Sequence, residues 1–471
     1  MEFLDIIDAI TENVTIYVDK NDKNRLYAEY PGPKGEQCFS TIGSTGFRSY
    51  LYVSALEHDS DGIDVNKALK HIELTSHYNG DAVRVNVYNR IAGDLEEGIE
   101  YDLQNARQES VKIDAEGWEI SPKKRKFIVP RESLMQVRPV ETDKNPIMLL
   151  KKYLNLTGDA LILFVVWIIH CFCHGAHYGV VLSASPGAGK TTIGRCARAL
   201  IDPSDMEVVR FPDKKDDLCL ILSNSYFICF DNLDAASIGK DESDILCGAI
   251  TGSAMVKRAL YTTGELAVFR MHCALLMNGL DATPAEVDLA DRLLSIKATR
   301  VSSKKRLTDK ELTDSFKKDL PEIMGSIFNT LSIAMSLYGS IDRSNLPRMA
   351  EAYANAASIA KALGISEEEF RRIFDENKSA LDQSRTANPV VESVIEFMNR
   401  PDAKTTESGF VAEMFKKIKA NYSGSSASIA GSASSFSRKL KLESAALSAA
   451  NITVTFGDNG AKGTLLTIQK E

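Results

Sequence analysis

Residues 178–192, Tyr-Gly-Val-Val-Leu-Ser-Ala-Ser-Pro-Gly-Ala-Gly-Lys-Thr-Thr, limit the fold more than any other stretch. Val180, Val181 and Leu182 read as a buried parallel strand. A loop of small residues follows, and then an amphipathic stretch that ends near Leu200. The phosphate-loop template Gly-x4-Gly-Lys-Ser/Thr is met as Ala184-x4-Gly189-Lys190-Thr191, with Ala in the first place. Gly187 and Gly189 let the backbone curl so that its N–H groups face a β-phosphate. The helix that follows adds its own free N–H groups and positive dipole end. Lys190 reaches the β- and γ-oxygens, and the Thr191 hydroxyl holds Mg2+. The expected nucleotide contacts are therefore Pro186, Gly187, Ala188, Gly189, Lys190, Thr191 and Thr192, with ATP and Mg2+ as cofactors.

A second signal lies about forty residues on. Tyr226-Phe227-Ile228-Cys229-Phe230-Asp231 is an apolar strand ending in a carboxylate, the Walker B form, in which Asp231 binds Mg2+. Many P-loop ATPases place a glutamate base next, whereas this chain has Asn232. A third apolar strand, His272 to Met277, ends at Asn278. In the AAA+ class a polar residue here orients the attacking water. Asp288-Leu289-Ala290-Asp291-Arg292 follows, and Arg292 is placed as an arginine finger for a neighbour's γ-phosphate. Taken alone, Asn278 also reads as a turn residue and Arg292 as a surface residue.

The chain has 471 residues, which calls for roughly two to four domains. A net charge of −8 argues against a protein that coats nucleic acid, but it leaves room for a local basic site. Eight scattered cysteines, mostly in apolar runs, suit reduced thiols in the cytoplasm. The acidic start Met1-Glu2-Phe3-Leu4-Asp5 does not read as a signal peptide. Residues 160–173 imitate a membrane span but fall short of the ~20 residues a bilayer needs, so a buried helix is expected and no membrane partner.

Strand-like runs separated by turn signals point to a mostly β module over residues 1–142, with one helical patch from Asn66 to Thr75. Asp143-Lys144-Asn145-Pro146 reads as a linker. An α/β P-loop core is expected over 147–300, a helical lid over 301–385 and a small DNA-binding domain over 388–471. In that last part, apolar residues recur at helical spacing in three stretches. The alternating Ile452-Thr453-Val454-Thr455-Phe456, the turn Asp458-Asn459-Gly460 and a return strand follow. Three helices and a hairpin make a winged helix, with Arg438, Lys439 and Lys441 on or near its third helix facing duplex DNA. A winged helix used only for protein contacts fits the same pattern.

From about residue 85 onward the chain resembles the ATP-binding, primase-helicase-like proteins of phages, phage satellites and integrative elements, relatives of superfamily III helicases within AAA+. The resemblance is carried in order by Ser185 to Thr192, Leu200-Ile201-Asp202-Pro203, Phe230-Asp231-Asn232-Leu233, Asp244-Ile245-Leu246-Cys247, Ala259-Leu260-Tyr261, Met277-Asn278-Gly279 and Asp288 to Arg292. Upstream, Ile99 to Leu103 and Gly117-Trp118 also resemble that family. It implies an α/β AAA+ core, a homo-oligomeric, hexameric ring and DNA translocation in replication. Asn232 is usual in such proteins. Their primase module has no counterpart in residues 1–140, so a separate primase partner is expected. The family also implies a β-hairpin between Asp231 and Asn278 that grips single-stranded DNA, here with Lys257 and Arg258 on its first strand. A hairpin that only packs is the other reading.

Three further features have two readings each. Pro122-Lys123-Lys124-Arg125-Lys126 faces phosphates or is a solvated strand edge. His170-Cys171-x-Cys173-His174-x2-His177 imitates metal spacing, yet these positions wrap around a helix instead of converging. Arg348 is a second sensor on the γ-phosphate of its own subunit or an exposed first-turn arginine. The expected function is an ATP-dependent DNA translocase or helicase of a mobile element. The alternatives are a nucleotide-switched ring that loads other proteins on DNA and a phage-defence ATPase.

Overall fold

The computed structural model describes residues 3–58, 63–183, 188–233, 238–258, 266–279, 286–298, 308–386, 389–422, 429–460 and 463–470. They form a mixed α/β protein with three apolar cores.

The first core lies in residues 3–85. Helix α1 (Phe3–Thr11) leads to β1 (Thr15–Asp19), β2 (Asp22–Pro31) and β3 (Gln37–Thr41), then α2 (Thr45–Leu56), α3 (Val65–Asn79) and β4 (Val83–Val85). The strands form one sheet in the order β3-β2-β1-β4. Helices α1 and α2 depart from the mostly β expectation, whereas α3 covers the helical patch expected from Asn66 to Thr75. Ile6, Ile7 and Ile10 give α1 a buried stripe, and the Ser44 hydroxyl caps α2 by accepting from Phe47 N.

Strands β5 (Val87–Asn89), β6 (Ile91–Ala92), β7 (Ile99–Asp102), β8 (Glu109–Asp114), β9 (Gly117–Pro122) and β10 (Lys126–Ile128) follow. β6 to β9 form an antiparallel meander. Its inner face joins the central core, where Tyr101 meets Phe172 and Phe328 at ring-centroid distances of 5.2 and 5.7 Å. The apolar core therefore runs straight across the boundary expected near Thr142.

The stretch read as a linker is tied to the long helix α10 described below. Val140 N donates to Pro321 O (3.0 Å), Thr142 Oγ1 to Glu322 Oε1 (3.0 Å) and Asn329 Nδ2 to Thr142 O (2.7 Å). Gly325 permits this crossing, because a Cβ there would lie 1.8 Å from the Val140 carbonyl oxygen.

A buried ionic group fixes the meander to the centre. Arg90 is fully buried; its Nε donates to Asp202 Oδ1 (3.0 Å) and its Nη2 to the carbonyls of Leu134 (2.9 Å) and Pro203 (3.1 Å). Asp202 also takes Arg198 Nη1 at 3.3 Å.

The centre begins with α4 (Pro146–Leu150) and α5 (Gly158–His170) and continues with β11 (Gly179–Ser183), α6 (Lys190–Ile201), β12 (Val209–Arg210), α7 (Lys215–Asn224), β13 (Phe227–Asp231) and α8 (Lys240–Thr251). The hairpin β14 (Ser253–Arg258) and β15 (Leu266–Met271) precedes β16 (Ala274–Gly279), α9 (Val287–Ala290) and β17 (Leu293–Lys297). The sheet is parallel, in the order β12-β13-β16-β11-β17, with Leu182 opposite Asn278 and Phe230 opposite Met277. Its inner strands are buried on both faces, which is why they read as unbroken apolar runs.

Most of the membrane-like run, up to His170, lies in α5, whose thirteen residues span ~20 Å. No helix among the described residues is long and apolar enough to cross a membrane. Helices α10 (Asp309–Tyr338), α11 (Ala350–Ala362) and α12 (Glu367–Thr386) pack on α5, and a Thr308–Glu311 capping box opens α10.

The last core holds α13 (Pro389–Asn399), β18 (Thr406–Phe410), α14 (Val411–Asn421), α15 (Ala433–Leu442), α16 (Ser444–Ala449), β19 (Ile452–Gly460) and β20 (Gly463–Lys470). Its antiparallel sheet runs β18-β20-β19, so the expected hairpin gains a third strand, and a short α16 extends the expected three helices.

Candidate functional site

In a parallel sheet, ligands sit beyond the carboxyl ends of the strands. That end of β11 carries residues 184–187, which include Pro186 and Gly187 and lie outside the described residues. The loop re-enters at Ala188, which is buried, and at Gly189, whose φ of 81° is a left-handed conformation suited to glycine. Lys190 opens α6. Asn155 Nδ2 donates to the Ala188 carbonyl (3.1 Å) and holds the loop exit; nothing in the sequence around Asn155 signals this. Gly194 lets α6 lie against β13, since a Cβ there would stand 2.6 Å from Cys229 Sγ.

This packing brings Thr191 to Asp231. The hydroxyl stands 3.3 Å from one carboxylate oxygen and 3.4 Å from the other. Two oxygens at right angles on one Mg2+, each ~2.1 Å away, are about 3 Å apart. The pair therefore fits the ion, and Thr191 and Asp231 are the side chains that would hold it. Bound there, Mg2+ would neutralise charge on β- and γ-phosphate oxygens.

β16 lies between β11 and β13 and brings Asn278 to the same end. Asn278 is fully buried, and its Oδ1 accepts from the backbone N of Asn232 (3.1 Å). Asn232 has φ 53°, in the left-handed region that Asn tolerates. Asn278 thus supports the backbone just past Asp231, and Leu233 N donates to the Asn278 carbonyl (2.8 Å).

Arg292 lies at the other end of the sheet. Its carbonyl accepts from Gly179 N (2.9 Å), where β11 begins. Its Nη1 pairs with Asp288 Oδ2 (2.8 Å) and also donates to the Asp288 carbonyl (2.6 Å). Arg348 Nη1 pairs with Asp288 Oδ1 (2.6 Å) and with Asp291 Oδ2 (3.3 Å). These arginines hold the Asp288 carboxyl below its usual range, against the effect of burial. Lys378 on α12 donates to the carbonyls of Ala290, Asp291 and Leu293, fixing this segment to the helical region.

The hairpin expected between Asp231 and Asn278 is present as β14–β15, with Lys257 opposite Ala267 and Arg258 opposite Leu266. Its tip, residues 259–265, and the side chains of Lys257 and Arg258 lie outside the described residues. Met255 and Phe269 anchor its base on the central core.

On α15, Arg438 and Lys441 lie one turn apart and line a groove of about 470 Å3 with Ser434, Ser437, Phe410 and Thr464. Lys439 is not with them, because its Nζ donates to the Ile429 carbonyl (3.2 Å).

The basic run at 122–126 is held partly inside the chain by two ion pairs and two backbone bonds, while the Lys124 side chain is exposed. Lys123 pairs with Asp102 (2.8 Å), Glu100 accepts from Lys124 N and Arg125 N, and Lys126 pairs with Glu29 (2.5 Å) over the Tyr17 ring.

The histidines of the metal-like run pack as rings. His170 and His177 have centroids 5.0 Å apart, and His174 and His272 4.8 Å. His177 Nε2 is hydrogen-bonded to the Cys173 carbonyl (2.7 Å). Burial pulls His170 and His174 down to about 4 and lowers His177 as well. A histidine whose pKa falls on folding contributes stability that is full above its unfolded value near 6.5 and is lost as pH falls. Urea unfolding is therefore expected at lower concentration at pH 5 than at pH 7, by about 1.4 kcal/mol per pH unit for each histidine held neutral. Equal midpoints would contradict burial of these rings in the neutral form.

Residues 146–378 match the model of a family described as actinomycete integrative conjugative element replication protein. This span carries the loop, both strand-end motifs and the two arginines. No curated protein matches the chain. Among solved structures, one described as "SCCmec type IV Cch - active helicase" aligns over 97% of this chain and 92% of its own, at 13% identity and a TM-score of 0.46. The apo A form of the NrS-1 C-terminal region aligns over 98% of each chain, at 12% identity and a TM-score of 0.41. A ligand-bound JCV helicase aligns over 51% of this chain and 65% of its own, at 15% identity and a TM-score of 0.24.

Proposed function

We propose, from the similarity of residues 146–378 to replication proteins of integrative conjugative elements, that this chain is an ATP-hydrolysing DNA translocase or helicase acting in replication of such an element. The observation that carries the reading is the meeting of the Thr191 hydroxyl and the Asp231 carboxylate 3.3 Å apart, directly after a glycine-rich loop and at the carboxyl end of a parallel sheet. Oxygens so placed would hold Mg2+, which would neutralise charge on the terminal phosphates of ATP. Lys190 supplies the cation for the β- and γ-oxygens. Gly187, Ala188 and Gly189 supply backbone N–H groups, Pro186 shapes the loop entry without one, and Thr192 lines the helix start.

On this reading residues 147–300 are an AAA+ core, 301–385 its lid and 388–471 a winged helix. Asn278, buried and bonded to the Asn232 amide, is assigned the part of orienting the attacking water, through the bend it holds just past Asp231. Arg292 serves a neighbouring copy in a homo-oligomeric ring, a hexamer by resemblance. Its position at the far end of the sheet from Thr191 and Asp231 supports action in trans. Lys257 and Arg258 approach single-stranded DNA, while Arg438 and Lys441, exposed side by side above a groove, approach duplex phosphates. Lys439 is the weaker candidate because it is turned inward. A separate primase is a proposed partner, and the cytoplasm is the proposed compartment.

The test is ATP hydrolysis by the purified chain with and without single-stranded DNA, together with its mass in solution. The expected result is an oligomer whose turnover rises at least about tenfold with DNA. An unchanged rate on an assembled ring would favour a nucleotide switch that loads other proteins.

A further inference from the structure

We propose that Arg348 acts beside Arg292 on the terminal phosphate of a nucleotide bound by a neighbouring copy of this chain, so that the two arginines form one anion receptor in trans. The inference rests on the ring ATPase reading above and extends it, since that reading assigns only Arg292.

The argument begins with place. The sheet is parallel, so all its carboxyl ends point one way, and Thr191 and Asp231 lie there. Arg292 precedes β17, and its carbonyl is hydrogen-bonded to the first residue of β11. Five strand residues at ~3.3 Å each put about 16 Å between the two ends. That exceeds the reach of an arginine side chain.

Arg348 is bound to the same end, because one carboxylate holds both guanidinium groups: Asp288 Oδ2 takes Arg292 at 2.8 Å and Asp288 Oδ1 takes Arg348 at 2.6 Å. Whatever phosphate Arg292 meets, Arg348 meets too. The reading of Arg348 as a sensor for its own subunit's nucleotide requires the opposite end of the sheet.

Chemistry agrees with place. Two guanidinium groups converging on one carboxylate are spaced for an oxyanion with two or more equivalent oxygens. A terminal phosphoryl group has three. Asp288 and Arg348 are half-exposed while Arg292 is mostly covered, so the Asp288–Arg348 side of the cluster faces an approaching subunit. In the isolated chain the carboxylate keeps both arginines parked. At an interface a dianionic phosphate competes for them. Lys378, which caps the α9 end from the helical region, makes finger and lid move as one piece. The sequence alone conceals the pair, because fifty-five positions separate Arg292 from Arg348.

Mixing variants tests the assignment. Arg348→Ala alone should lower ATP turnover at least about tenfold without changing the mass of the assembly. Each inactive variant is then co-assembled with another at equal amounts. Arg292→Ala with Lys190→Ala is the control for mixed rings and for the trans finger itself. If Arg348 acts in trans, Arg348→Ala with Lys190→Ala recovers activity, because about a quarter of interfaces pair an intact loop with intact arginines. Arg348→Ala with Arg292→Ala then recovers none, since every interface lacks one arginine.

The reverse pattern, with recovery in the second mixture and none in the first, places Arg348 in cis and overturns the proposal. So does wild-type turnover by Arg348→Ala. Failure of the control removes the trans finger and the proposal with it. Full turnover by Lys190→Ala instead defeats the ATPase reading itself, a distinct result.

Discussion

Lys190→Ala is expected to lower kcat/KM for ATP by about 100- to 1000-fold, the range seen when one preorganised charge-stabilising contact is removed. Lys190 is the first residue of α6, beside the αL turn at Gly189 and one position before Thr191. No other lysine stands in the loop, so alanine leaves the β- and γ-oxygens without their cation. The fold should survive, because α6 is held by Ile193, Ala197, Leu200 and Ile201, all buried. Circular dichroism and the urea midpoint should match the parent while turnover collapses. A variant that hydrolyses ATP at the parental rate would remove the site from the loop.

The second large effect is on stability. Asp202→Ala is expected to cost about 3–5 kcal/mol, because it leaves two buried arginines without their shared counter-ion. Arg90 and Arg198 are both almost wholly buried, and Arg198 also lies against the Phe227 ring. Asp202→Asn keeps an oxygen for Arg90 Nε and should cost less. The chain supplies its own probe, because its two tryptophans, Trp118 and Trp167, both belong to the central core. Urea unfolding followed by their fluorescence therefore reports on the meander and parallel sheet without signal from the other two cores. A midpoint unchanged in Asp202→Ala would mean that the arginines find water or new partners at no cost.

The legible parts of this chain are those whose signal is local. Val180 to Leu182, Phe227 to Phe230 and Ala274 to Met277 read as buried strands because parallel strands covered on both faces leave no polar alternation to confuse them. The strict alternation of Ile452 to Phe456 gave away β19 in the same direct manner. Helices α1 and α2 were hidden. Thr45–Leu56 is rich in aromatic and β-branched residues and imitates a strand, and only the cap at Ser44 and burial of Phe47, Leu51 and Ala55 make it a helix. Long-range features stayed out of reach. Nothing near Lys123 or Lys126 announces Asp102 or Glu29, so two of the four cations in this basic run turn out to be committed to internal ion pairs. The same holds for Thr142, whose partners Glu322 and Asn329 lie about 180 positions away. The nucleotide site was readable residue by residue, but the division of labour between the two ends of the sheet was not. It depends on strand direction and order, which no single motif encodes.

The left-handed backbone at Asn232 has an evolutionary consequence. With φ at 53°, this position admits asparagine, aspartate or glycine readily, whereas a longer side chain carries about 1–2 kcal/mol of strain. Asn278 reinforces the bend by gripping the Asn232 amide, so the conformation is not free to relax on substitution. A lineage built on this bend cannot acquire a glutamate after Asp231 by one codon change without paying that strain beside its most sensitive carboxylate. Drift at position 232 is thus confined to short side chains, and any stronger base has to be recruited from another strand or another subunit.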